Sequence, residues 1–192
     1  LHDALPIFAG FKNQIEKRFK KNKFSHESKP IPNSLRKKCD INIKETIGHK
    51  FWTLKPKEYV SEKVILYLHG GAYISNITGF HWNLIEELLI KTNATIVIPD
   101  YPLIPNANYK DVYNFVEVIY YELLSKVSSH NIIFMGDSAG GGLALGFAQE
   151  LRNKNKPQPS QIILLSPWLD ITMSNSDIIK IPMNEFFLNC LN

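Results

Sequence analysis

Ile132-Ile133-Phe134-Met135-Gly136-Asp137-Ser138-Ala139-Gly140-Gly141 is the stretch on which the reading of this 192-residue chain turns. Four apolar residues suit a strand buried on both faces, and a Gly/Ala/Leu-rich helical stretch follows the glycines. Between the two lies Gly-x-Ser-x-Gly. A serine at a sharp strand-to-helix turn is forced into strained backbone angles, and its hydroxyl stands clear of both elements. The positions two before and two after must be glycine-sized, because neighbouring backbone would otherwise collide there. Gly136 and Gly140 meet that requirement. Chance supplies about 0.06 such matches in a chain of this length at average glycine and serine usage, and the flanking strand and helix lower that further.

A second motif, His69-Gly70-Gly71-Ala72-Tyr73, ends another apolar run, Val64-Ile65-Leu66-Tyr67-Leu68. A loop of this HGG type is where a chain with such an elbow places the other half of an oxyanion hole. Around the two motifs the chain alternates. Ile41-Asn42-Ile43-Lys44 and Phe51-Trp52-Thr53-Leu54 read as an antiparallel edge hairpin. Residues 80–91 read as a helix with Leu84, Leu88 and Leu89 inward, and 95–98 as a buried strand. Residues 109–127 make a long helix facing inward through Val112, Phe115, Val116, Ile119 and Leu123. The elbow helix runs to about Asn153, Pro157 and Pro159 stop it, and Ile162-Ile163-Leu164-Leu165 is one more strand. Strands alternating with helices predict an α/β fold, a mostly parallel sheet with helices on both faces. The motifs fall after strand C-termini, where such sheets bind ligands.

These two motifs, with Ser166-Pro167-Trp168-Leu169-Asp170, resemble the hormone-sensitive-lipase-like carboxylesterase and lipase family of the α/β-hydrolase fold, over roughly residues 60–172. The resemblance implies an ester hydrolase. Ser138 would be the nucleophile, and backbone N–H groups of Gly70, Gly71 and Ala139 would receive the oxyanion. No cofactor or metal is implied, and the partner is a small-molecule ester, with short acyl chains the expected class. His69 precedes the serine, whereas this fold takes its partners in the order Ser, Asp/Glu, His, so its implied role is to hold the oxyanion loop. His81 and His130 read as helix-start and loop residues. Tyr73 reads equally as a pocket wall or a packed aromatic, and Asp137 as solvated or bound to backbone. Asp100-Tyr101-Pro102-Leu103-Ile104-Pro105 resembles the family's Asp-Tyr-Arg-Leu-Ala-Pro, with Pro102 in place of the arginine.

Composition is ordinary for a globular chain, with 44% apolar and 21% charged residues. No apolar stretch approaches a membrane span. The net charge of +4 hides an asymmetry: residues 12–38 carry ten Lys/Arg against Glu16 and Glu27, leaving the remainder at −4. Those charges follow no nucleic-acid motif and suit a solvated helix face. Residues 1–38 are therefore expected to be a basic helical segment (11–24), which the resemblance implies is cap-like, and a linker broken by Pro30 and Pro32; residues 39–192 are expected to be a partial α/β-hydrolase domain. Residues 1–7 resemble translated adapter sequence and are set aside. Absence of a charged n-region before Leu5–Phe8 points to a cytoplasmic location. Cys39 and Cys190 have no metal or redox spacing and read as unpaired thiols.

No histidine follows Ser138, and the aspartates that do are Asp170 and Asp177. Asp170 matches a family segment that is not the triad acid. The expectation is a nucleophile and oxyanion hole without the triad Asp and His, hence a fragment with little or no turnover. The alternative is a non-catalytic α/β-hydrolase homologue that binds a small molecule in the old active site.

Overall fold

The computed structural model describes residues 27–172 and Ser174. The chain forms two compact units, Ser25–Leu169 and a second made of Leu1–Phe24 with Asp170–Asn192. The basic helix expected over 11–24, Asp177 and Cys190 lie outside the described residues.

The larger unit is built on six strands: β1 Cys39–Thr46, β2 His49–Pro56, β3 Val64–Leu68, β4 Thr95–Pro99, β5 Ile132–Asp137 and β6 Gln161–Leu165. Their order across the sheet is β1-β2-β4-β3-β5-β6. β3 to β6 run parallel and the β1–β2 hairpin antiparallel, as expected. Ile47 and Gly48 turn the hairpin with positive φ at both residues (51° and 73°), so its twist matches that of the strands. Among the described residues four α-helices accompany the sheet: α1 Asn33–Lys38, α2 Gly79–Thr92, α3 Tyr109–Leu124 and α4 Ser138–Asn153.

Every residue of β3 is buried, because the strand is covered on both sides. Val64, Leu66 and Leu68 join a core with α3 and α4, centred on Phe115, Phe134 and Phe147. Ile65 and Tyr67 join the opposite core, with Trp82, Ile85 and Leu89 of α2. The inward face of α2 is thus Trp82/Ile85/Leu89. Leu84 and Leu88, expected inward, are only partly buried. Trp82 wins that face because its indole packs edge-on to Trp52 at 5.3 Å while its N–H reaches Lys29 O at 2.8 Å. Residues 28–38 do more than link, since Ile31 and Leu35 lie in the α2-side core. Cys39 is a buried free thiol bonded to Leu35 O, and burial pushes it up to about 11.

β4 and β5 lie on opposite sides of β3, so the strand order reverses there, and crevices open at such points beyond the strand C-termini. Phe134 has no exposed surface and stands against Tyr120 (5.1 Å) and Phe147 (5.6 Å). Phe134→Ala should lower unfolding free energy by about 3–5 kcal/mol in urea titration.

Candidate active site

Two neighbouring strand ends supply the site. Leu68 pairs with Gly136, so the loop that leaves β3 and the turn that ends β5 emerge side by side. At the turn, Asp137 is extended (φ −110°, ψ 147°) and Ser138 switches to φ 49° as the first residue of α4. A non-glycine residue there carries real strain. A Cβ on Gly136 would lie 2.4 Å from Gly140 O, and one on Gly140 only 2.0 Å from Leu68 O. Both glycine requirements read from the motif therefore have named collisions behind them. Trp168 N–H closes the turn from the next strand's end by donating to Ser138 O at 2.8 Å.

The other half is the loop from His69 to Ser75. Gly71 takes φ 120°, and Ala72 and Tyr73 follow at 53° and 59°. Ile74 and Ser75 N–H both donate to Gly71 O, at 3.0 and 2.9 Å, which curls the backbone into a tight turn. His69 is wholly buried and stacked on Tyr101 at 4.3 Å. Its Nδ1 donates to Gly70 O at 2.7 Å, and Tyr101 OH donates to His69 O. Burial pushes its imidazole down to about 4, so it stays neutral. This histidine is built into the loop and is not presented as a base.

Gly70 departs from expectation. Its N–H donates to Asp137 Oδ1 at 2.9 Å and so is not free for an oxyanion. The physical reason is proximity: a Cβ on Gly70 would fall 2.2 Å from Asp137 Oδ2, so the carboxylate sits directly on the loop backbone. Among the described residues, the N–H groups of Gly71 and Ala139 and the Ser138 hydroxyl meet no partner. Tyr73 is a packed aromatic, half-buried with its OH donating to Ala139 O at 2.8 Å and its ring 6.5 Å from Trp168. Burial pushes its hydroxyl up to about 12, which keeps it a donor.

Two participants were missed in the sequence, Tyr67 and His81. Tyr67 OH donates to Asp137 Oδ1 at 2.6 Å, and His81 Nε2 lies 3.5 Å from Asp137 Oδ2. A lone tyrosine in the aliphatic run of β3 was the available signal. His81 does start a helix, as expected, at the third position of α2. His130 lies in an exposed turn beside Ser128, and His49 packs on Phe115. A cavity of about 320 Å³, walled by residues including Asp100, Tyr101 and Asp111, opens at the end of β4, and Ser138 is not in its wall. Asp100 is held there by Ser28 Oγ and Lys50. Asp170, in the second unit, closes a local turn by accepting from Thr172 and Ser174. Among the described residues no three His, Cys, Asp or Glu side chains converge as a metal site. No described helix is long and apolar enough to cross a membrane.

Residues 65–189 match the family profile described as alpha/beta hydrolase fold. The chain belongs to that family. Among α/β-hydrolase relatives, an esterase of Acinetobacter venetianus is 32% identical over 117 residues, covering 60% of this chain and 39% of its own length. A candidate esterase of Staphylococcus aureus superposes with TM-score 0.79 at 29% identity, covering 93% of this chain and 62% of that one. EstE7, a hormone-sensitive-lipase homologue from a metagenome library, superposes with TM-score 0.66 at 28% identity, over 76% of this chain and 49% of its own. This chain thus spans about two-fifths of that curated relative and under two-thirds of those solved structures.

For Asp137, burial raises the carboxyl, but His81, Tyr67 and the Gly70 N–H together outweigh it and hold the group below its ordinary 3.8. A depressed carboxyl contributes stability that is present above its unfolded value and is lost as pH falls through its folded one. Urea titrations of the protein and of Asp137→Asn should differ by a constant amount above about pH 5, with the gap closing as pH drops below the ordinary carboxyl range. Separately, Gly140→Ala should abolish soluble folded protein, because the collision is with backbone carbonyls that cannot swing away.

Proposed function

We propose that this chain carries the nucleophile and oxyanion half of a serine carboxylic-ester hydrolase. The observation that carries this reading is the strained Ser138 turn held against the His69–Gly71 loop, with unengaged amides beside it. Ser138 Oγ attacks the carbonyl carbon of an ester, and a Ser138–acyl bond forms as the ester C–O bond breaks. The alcohol leaves with a proton. The former carbonyl oxygen becomes negative in the tetrahedral intermediate, and the N–H groups of Gly71 and Ala139 are its donors, each of a kind worth about 3–4 kcal/mol of barrier. Gly70 serves by shape and as the loop's anchor, its N–H being taken by Asp137. Short-chain acyl esters are the substrate class, and no cofactor or metal takes part.

The serine proton needs a base, and none of the four described imidazoles supplies one. His69 is buried and neutral, His81 turns Nδ1 to Thr78 N–H and Nε2 toward Asp137 at 3.5 Å, and His49 and His130 are held elsewhere. With no histidine after Ser138 in the sequence, our reading is that the 192-residue polypeptide acylates slowly and turns over little. Oxyanion donors alone leave a residual rate about 10³–10⁴ above water in serine hydrolases stripped of triad members.

Incubation with p-nitrophenyl butyrate, followed by intact-mass and peptide mapping, tests both statements. Up to one butyryl group per chain is expected, on Ser138, with none in Ser138→Ala. Label on another residue, or equal label in the Ala variant, overturns the nucleophile assignment. Many equivalents of p-nitrophenol released by the unmodified protein alone overturn the low turnover.

A further inference from the structure

Three strand, loop and helix segments meet on one carboxylate. Asp137, at the end of β5, accepts at Oδ1 from Tyr67 of β3 and from Gly70 N–H of the loop. Its Oδ2 faces His81 Nε2, on the first turn of α2, at 3.5 Å. The tautomer of His81 follows from its other nitrogen. Nδ1 accepts from Thr78 N–H at 2.9 Å, so in the neutral ring the proton sits on Nε2, the nitrogen that lies 3.5 Å from Asp137 Oδ2. Both side chains are mostly shielded, at 12% and 26% exposure, so water competes poorly for the contact.

Capping α2 does not by itself call for an imidazole. At the start of α3 the same task is done by a shorter side chain, Asp111, whose Oδ2 accepts from Asn108 N–H at 2.8 Å. What His81 adds is reach. From one helical position it caps Thr78 and still extends to Asp137. We propose that His81 is a positioning residue for acyl transfer at Ser138: by donating from Nε2 it fixes the carboxylate that holds the Gly70 end of the oxyanion loop. This rests on the esterase reading above. Gly71 N–H points where it does because Gly70, one residue earlier, is tied to Asp137. An Asp137 carboxylate no longer fixed by His81 is free to pivot on its Oδ1 bonds, and the loop moves with it.

Two substitutions separate the roles of the ring. His81→Asn can cap Thr78 as Asp111 caps Asn108, but it falls short of Asp137. His81→Gln keeps a donor long enough to reach. Single-turnover acylation by p-nitrophenyl butyrate, measured over a range of ester concentrations, separates the acylation rate constant from ester binding. Loop misplacement on the ångström scale should cost His81→Asn about 10-fold in the rate constant, with binding unchanged, while His81→Gln stays within about threefold of the parent. The ¹H–¹⁵N resonance of Gly70 should shift in His81→Asn and stay near its place in His81→Gln.

Equal acylation in all three proteins, an unmoved Gly70 resonance, or a change confined to binding overturns the proposal. Thermal denaturation checks that the variants fold. Should His81→Asn not fold, Asp137→Asn is the second variant: its NH₂ would oppose His81 Nε2–H, and unimpaired acylation there overturns the proposal equally. A parent protein that never acylates overturns the esterase reading and the positioning role with it. A parent that acylates, with a His81→Asn variant that matches it, overturns the positioning role alone.

Discussion

Among the described glycines the tightest position is Gly140, where α4 meets the end of β3. A Cβ there would fall 2.0 Å from Leu68 O and 2.4 Å from His69 O. Because nothing but hydrogen fits, the first turn of α4 lies directly on the backbone that begins the His69 loop. The pairing of Leu68 with Gly136 sets the same distance from the sheet side. Two independent constraints, ladder register and helix packing, thus converge on one relation between the Ser138 turn and the His69 loop. That relation cannot drift without a backbone collision or a broken ladder. Precision of this kind suits chemistry in which reacting groups must be placed to within a fraction of an ångström.

Burial on both faces of β3 makes that rigidity stable. Its alternating side chains feed two separate cores, so the strand is fixed from above by α3 and α4 and from below by α2. The same burial sets the polar chemistry at the strand's end. His69 is held neutral by desolvation, with one ring nitrogen buried and unpartnered among the described residues. Leaving such an atom unmatched is costly. The cost is offset by stacking on Tyr101 and by the bonds through which the ring and the Tyr101 hydroxyl organise two loop carbonyls.

Strand, helix and motif positions were legible in the sequence because they depend on short periodicities. β3, β4 and β5 are apolar runs, and α3 shows the expected Val112/Phe115/Val116/Ile119 face. The inward face of α2 was legible at Leu89 but not at Trp82 and Ile85, because the helix offers both an aliphatic and an aromatic stripe, and only the position of Trp52 on the neighbouring strand chooses between them. At the site, glycine spacing announced the elbow, since backbone collision depends on residue size alone. The allocation of individual N–H groups was not legible. Whether Gly70 or Gly71 is free depends on a side chain 67 positions away, and no local pattern encodes that pairing. The contact from His81 to Asp137 was hidden for the same reason, behind a residue type that helix starts also use.

Strain and tertiary contact are matched across the site. Ser138 is left-handed on one side, and Gly71, Ala72 and Tyr73 are left-handed in succession on the other. Each such non-glycine residue costs on the order of 1–3 kcal/mol and persists only where surroundings over-determine it. Here the surroundings of each strained segment include the other. Gly70 N–H binds the residue before Ser138, and Tyr73 OH binds the carbonyl of the residue after it. Gly71 O, with two donors, and Tyr73 O, bonded by Ile104 N–H, hold the loop from within and from its far side. Neither half can relax to ordinary backbone angles without releasing bonds that hold its partner. The turn and the loop therefore form or fail as one unit, which is why Ser138 and the His69–Ser75 loop belong to a single cooperative piece of the fold.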